Sequence, residues 1–214
     1  MRVSKERAAQ NRHKIVTAAA RLFRERGIGA TGVDAISEDA GLTHGAVYSQ
    51  FGSKEAIAAE ALREALAGSG RLWRRLLERE GPGKAFPAIV AQYLSRDHRD
   101  SAGRGCVLAA LGSEIARQPE LVRETFTAEF KDLAELLAGV MPRTSGSRSY
   151  DDAIVAFASM AGALILARAV SDESLSNRIL KATARHVLPP AQAGIQSDAP
   201  GQTSARNKSS RPAK

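Results

Sequence analysis

Of the 214 residues one, Cys106, is a cysteine, and aromatic side chains make up only 5%. A lone cysteine excludes an internal disulfide framework and points to a reducing compartment, the cytoplasm. No apolar run is expected to reach the length of a membrane span. The longest candidate, Ala153 to Val170, contains Ser159, Gly162 and Arg168 and reads as a buried or interface helix. The N-terminal stretch MRVSKERAAQNRHK is basic but lacks the apolar segment of a secretory signal. Catalytic and metal-binding patterns are missing too: there is no Gly-rich phosphate loop, no Ser/His/Asp set in a recognisable context and no His/Cys ligand spacing. His13, His44, His98 and His186 are far apart, and His98, beside Asp97 and Asp100, reads as a solvated loop residue. The expectation is a protein that is not an enzyme, holds no metal or cofactor and engages no membrane.

Acidic residues are the scarcer charge, 23 against 31 Lys and Arg, for a net charge of +8. The excess lies at the ends: residues 1–54 hold nine basic and five acidic side chains, and residues 189–214 four and one. Strand signals are absent, while apolar residues recur at helical spacing along most of the chain. Helices are expected over 4–26, as two short helices within 31–54 joined at Gly41, and over 53–80, 84–96, 104–117, 119–140, 149–170 and 173–187, about nine in all. Gly81-Pro82-Gly83 is the clearest break, and Asp97–Gly103 reads as a polar loop. From Pro189 onward the composition is that of a disordered basic tail.

Thr31 to Lys54, TGVDAISEDAGLTHGAVYSQFGSK, is the most specific segment. Val33, Ile36 and Ala40 share one helical face, with Ser37 small at the crossing point. Gly41 suits a left-handed C-cap, Leu42 points back into the junction and Thr43 is a good N-cap for a second helix. Val47 faces Ile36 and Ala40, and Phe51 closes the small core. His44, Gly45, Ala46, Tyr48, Ser49 and Gln50 remain for another surface, and a third helix starts at the capping hydroxyl of Ser53. Two short helices about a tight turn, followed by a third, form a helix-turn-helix suited to the DNA major groove. The basic excess beside it favours phosphate binding.

The run Gly41-Leu42-Thr43-His44-Gly45-Ala46-Val47-Tyr48-Ser49-Gln50-Phe51-Gly52-Ser53-Lys54-Glu55 is similar to the signature of the TetR/AcrR family of bacterial transcriptional regulators. Ile15 to Gly27 resembles the end of that family's first helix, so the close match covers roughly residues 12 to 62. The resemblance implies an all-α fold: an N-terminal three-helix helix-turn-helix DNA-binding domain (1–52), a C-terminal helical ligand-binding and dimerisation domain (53–188), then the tail (189–214). It implies a repressor that binds a palindromic operator in double-stranded DNA as a homodimer and is released by a small-molecule effector.

By this resemblance Thr31, Tyr48 and Lys54 hold the DNA backbone, with Thr43 at the start of the reading helix. His44, Gly45, Ala46, Ser49 and Gln50 face the groove; Gln50 suits adenine and Ala46 a thymine methyl. The reading helix contains no arginine, which leaves room for shape readout or for Arg2, Lys5 and Arg7 on the N-terminal arm. Phe157, Ala161, Leu164, Ile165, Leu175 and Ile179 form two stripes that suit a dimer interface, or equally the protomer core. Trp73, Tyr93, Cys106, Phe126, Phe130 and Arg168 are the pocket candidates, with filled core as the alternative. Cys106, at a helix start beside Arg104, is expected to have a lowered thiol pKa, which opens a redox- or electrophile-sensing role. A ligand-independent, nucleoid-type DNA binder is the remaining alternative.

Overall fold

A computed structural model describes residues 5–142 and 150–188. The expected tail, Arg2 and the 143–149 connection lie outside the described residues. Ten α-helices and one 3-10 turn make up the fold: α1 (Lys5–Arg26), α2 (Val33–Ala40), α3 (His44–Phe51), α4 (Lys54–Glu80), α5 (Pro82–Tyr93), α6 (Arg96–Asp100), the 3-10 turn Ala102–Arg104, α7 (Val107–Ile115), α8 (Glu120–Val140), α9 (Tyr150–Ala169) and α10 (Glu173–Val187). Among the described residues there is no strand.

The long helix α4 organises the rest. At 1.5 Å per residue it spans about 40 Å. Ile57, Ala58, Ala61 and Leu62 on its first half are buried, as are Leu66, Trp73 and Leu76 further along. It packs on α1 near its start and along α8 and α5 beyond. Helix α9 lies against α7, α8 and α10. By length and composition α9 could cross a membrane, with a mean hydropathy of 1.6, which corrects the expectation that no apolar run reaches that length. Phe157, Met160 and Leu164 are nonetheless fully buried inside the protomer.

The segment 97–103 is not the expected open loop. Ser95 Oγ accepts the His98 N–H at 3.1 Å and starts the short α6, the additional helix that makes ten among the described residues where about nine were expected. The segment carries almost no apolar periodicity, so only its capping residue marks it as helical. Two side chains from other elements then hold it. Arg168 of α9 donates to the carbonyls of Arg99 and His98, both at 2.9 Å. Arg24 of α1 donates to Gly103 O at 2.8 Å.

His98 is half-buried rather than solvated. Its Nε2 accepts the Cys106 N–H at 3.0 Å, so the proton sits on Nδ1, which donates to Tyr93 O at 2.6 Å. Burial, aided by the Arg168 charge, pushes the His98 pKa below its ordinary value against the opposing pull of Tyr93 O. Protonating Nε2 would break the bond to Cys106. The stabilisation from neutral His98 is fully present above about pH 6.5 and is lost as pH falls through the lower folded-state value. Thermal midpoints are therefore expected to fall on acidification below about pH 6.5, and His98→Gln should flatten that part of the curve. An equally steep decline in the variant would assign the effect to other groups.

Candidate nucleic-acid interface

The α2–α3 pair forms as its local chemistry dictates. Gly41 adopts the left-handed conformation (φ 65°, ψ 37°), and its N–H and that of Leu42 close the end of α2 on Glu38 O and Ser37 O. Thr43 Oγ1 accepts the Ala46 N–H at 3.3 Å and Ser53 Oγ the Ala56 N–H at 3.1 Å, capping α3 and α4. Ile36 and Val47 are completely buried, and the partly buried Phe51 packs against the core.

With its apolar side committed, α3 leaves His44, Gly45, Tyr48 and Ser49 on one exposed surface, with Ala46 and Gln50 half-buried at its edges. Tyr48 is 42% exposed, its ring 4.8 Å from that of His44. His44 Nδ1 lies 2.5 Å from Asp34 Oδ1, which ties the start of α3 to α2. A Cβ added at Gly45 would meet nothing within 4 Å, so the backbone there is open to close approach.

The expected backbone-holding residues divide. Tyr48 presents its phenol outward. Lys54 Nζ reaches Gly29 O at 3.3 Å and remains at the surface. Thr31 is different: it is 1% exposed, and its hydroxyl donates to Gly27 O at 2.7 Å. In this conformation it braces the α1–α2 turn and does not face a phosphate.

Two anchors of this unit escaped the sequence reading. Arg12 of α1 donates from Nε to Glu60 Oε1 at 2.8 Å, pairs with Glu60 Oε2 through Nη2, and donates from Nη1 to Gln50 O at 3.0 Å. Its guanidinium carbon lies 4.2 Å from the Phe51 ring centroid. A planar cation with several donors can satisfy a carboxylate, a helix-end carbonyl and an aromatic face together. Glu114 of α7 accepts the Ile28 N–H at 3.0 Å on Oε2 and the Gly29 N–H on Oε1. Gly27 there has φ 89°, and a Cβ on it would come 2.8 Å from Glu114 Oε2, so glycine both forms the turn and makes room for the carboxylate. Neither pairing has a sequence signal, because each joins residues brought together only by helix packing.

The pocket candidates do converge. Phe157 is their centre, its ring centroid 5.3 Å from Trp73, 5.6 Å from Phe130 and 6.0 Å from Tyr93; Phe126 stacks beyond Phe130 at 6.0 Å. These are close contacts within a packed aromatic cluster. At one end the buried Tyr93 hydroxyl lies beside the Cys106 thiol without a well-formed hydrogen bond, near Arg168. The expectation of a lowered Cys106 pKa is reversed. Burial raises it, outweighing the Tyr93 hydroxyl, the Ala109 and Leu108 N–H groups and the Arg168 charge that act the other way.

The dimer candidates separate by face. Phe157, Ala161 and Leu164 point into the protomer core, so they cannot lie on its outer surface. Ile165 and Leu175 are 45% and 44% exposed, Ile179 is half-buried, and Val155 and Leu166, which the stripe omitted, are 65% and 56% exposed. Helix α9 is apolar nearly all round, so periodicity could not tell its inner face from its outer one.

Residues 15–61, which contain the whole helix-turn-helix, match the profile of the bacterial regulatory proteins of the tetR family. The chain is 26% identical over 160 residues to the HTH-type transcriptional regulator LmrA of Bacillus subtilis, covering 73% of this chain and 85% of that one. Its fold resembles that of reduced NemR from E. coli (TM-score 0.71, 22% identity, 83% of this chain and 94% of that chain). It also resembles Bacillus subtilis FadR, solved in complex with stearoyl-CoA (TM-score 0.57, 17% identity, 80% and 97%). Residues 15–61 thus carry the helix-turn-helix DNA-binding domain of the bacterial regulatory proteins of the tetR family, and over most of its length the chain is similar to helix-turn-helix transcriptional regulators.

Proposed function

We propose that the protein is a cytoplasmic, ligand-released repressor that binds a palindromic operator as a homodimer. Residues 1–52 would read DNA, and residues 53–188 would hold the effector and the dimer contacts. The observation that carries the release step is the Glu114 carboxylate of α7, which accepts two adjacent N–H groups of the α1–α2 turn. Charge-assisted bonds to backbone donors are among the stronger hydrogen bonds. A shift of α7 therefore moves the turn that precedes α2, or breaks the link. An effector that binds the shifted arrangement better than the DNA-bound one lowers operator affinity by population shift.

On DNA, Tyr48 would donate to a phosphate at the groove edge, flanked by Lys54, with His44, Gly45, Ala46, Ser49 and Gln50 toward the bases and Thr43 capping the reading helix. Thr31 would serve by bracing the turn. Outward-facing Val155, Ile165, Leu166 and Leu175 suit the contact between two copies, because a single reading head spans too few base pairs for useful specificity. FadR, bound to stearoyl-CoA, is a fold relative that takes a ligand, which supports an effector site in the second domain. Buried Cys106, with its raised pKa, does not favour an electrophile sensor.

Titrating labelled operator with wild type and Tyr48→Phe tests the docking. The variant is expected to bind less tightly by about 1 kcal/mol, equally on operator and mutated sites, as for one lost phosphate hydrogen bond. Altered base preference at unchanged affinity would remove Tyr48 from the backbone role. A thermal-shift screen of metabolites tests release: at least one stabilising compound should also free the operator. Stabilising compounds that all leave DNA binding intact would argue for a ligand-independent binder.

A further inference from the structure

We propose that the cleft between α1, α4 and the 3-10 turn Ala102–Arg104 is a binding site for a small organic carboxylate. The cleft measures about 290 Å³ and borders the DNA-reading unit rather than the aromatic cluster around Phe157. Arg24 enters it from α1, Arg71 from α4 and Arg104 from the turn, and Glu64 is the one acidic residue on its wall.

The cations are incompletely satisfied. Arg71 pairs with Glu64 at 2.5 Å. Arg24 forms no ion pair among the described residues; its described bond is the one from Nε to Gly103 O. It is half-buried, and desolvation pulls its pKa below the usual value for arginine, against weaker support from Cys106 and Glu25. Arg104 has a described bond only to the Ser101 hydroxyl, at 3.2 Å. The partly buried Arg24 guanidinium has no carboxylate to compensate its desolvation, and an anion reached also by the exposed Arg104 and Arg71 supplies what is missing.

The remaining lining gives the class of anion. Ala20, Ala65 and Leu72 offer an apolar wall, and Gly68 adds no side-chain bulk. The space equals roughly ten waters at about 30 Å³ each. A planar carboxylate matches the guanidinium fork, and a short aryl or alkyl group fits the apolar wall better than a fully hydrated inorganic anion does.

A carboxylate bridging Arg24 to Arg71 or Arg104 would clamp α1 to α4 or to the 3-10 turn. That such a clamp changes operator affinity rests on the ligand-released reading; binding itself does not.

The test uses the full chain, with sodium benzoate and sodium hexanoate compared with chloride and sulfate at matched ionic strength, in thermal shift and titration calorimetry. At ten times Kd a carboxylate should raise Tm by about 3 °C, and Arg104→Gln and Arg71→Gln, both at exposed positions, should each weaken binding about tenfold. Stabilisation no greater than with chloride or sulfate overturns the site, as does carboxylate binding undiminished in both variants. Adding operator separates the two readings. Carboxylate binding at unchanged operator affinity supports the site and counts against release through it. Release of DNA by some other compound, with no carboxylate binding, overturns the site and leaves the repressor reading standing.

Discussion

Phe157→Ala is expected to destabilise the protomer by about 3–5 kcal/mol, the range for removing a buried phenyl ring and leaving a cavity. Phe157 is 1% exposed and touches the Trp73, Tyr93 and Phe130 rings, so three side chains lose packing together. For a domain of this size the midpoint should drop by roughly 10 °C. The loss should be the same at every protein concentration, because the ring is buried within one chain. Denaturant unfolding at two concentrations a hundredfold apart checks this. A variant with unchanged protomer stability and weakened self-association would put Phe157 in an interface after all. Phe157→Leu, which keeps most of the volume, should cost less than half as much.

Ile165→Glu, two helical turns along the same helix, is expected to show the opposite pattern. Its side chain is 45% exposed in the protomer, so unfolding of a single chain should change little. In a twofold interface the same patch meets itself, so the substitution brings two carboxylates toward each other in a place being desolvated. Self-association should be lost, and operator affinity should fall by at least about 100-fold, since each half-site is then held by one reading head alone. Sedimentation equilibrium and operator titration provide the two readouts. A dimer of undiminished strength would move the interface off the outer face of α9.

Both results bear on how far the chain could be read without its structure. The reading unit was legible because its determinants are local. Gly41, Thr43 and Ser53 act within a few residues of themselves, and the spacing of Val33, Ile36, Ala40 and Val47 defines one buried face. Their geometry follows from covalent structure and near-neighbour hydrogen bonds, which a linear pattern records. The exposed surface of α3 was legible as the complement of that face.

Elsewhere the linear signal was insufficient. Thr31 looked like a surface donor, yet the left-handed turn at Gly27 brings a carbonyl to its hydroxyl. His98, among Asp97, Arg99 and Asp100, looked solvated, yet it bridges Tyr93 and Cys106. The position of Cys106 at a helix start suggested an acidic thiol, and burial reversed that, because desolvation depends on everything packed around the sulfur rather than on its neighbours in the chain.

From sequence alone came an all-helical chain with a helix-turn-helix at its N-terminus, and so a protein built to sit on DNA; caps, turns and periodic apolar faces are short-range, and their chemistry is written residue by residue. Tertiary structure decided how that device is held: Arg12 reaching Glu60 and Gln50, Glu114 reaching the Ile28 and Gly29 N–H groups, and which side of α9 is core. Those contacts join residues up to 86 positions apart. Their existence depends on the angles at which helices pack, and a uniformly apolar helix such as α9 carries no pattern that selects one face over another.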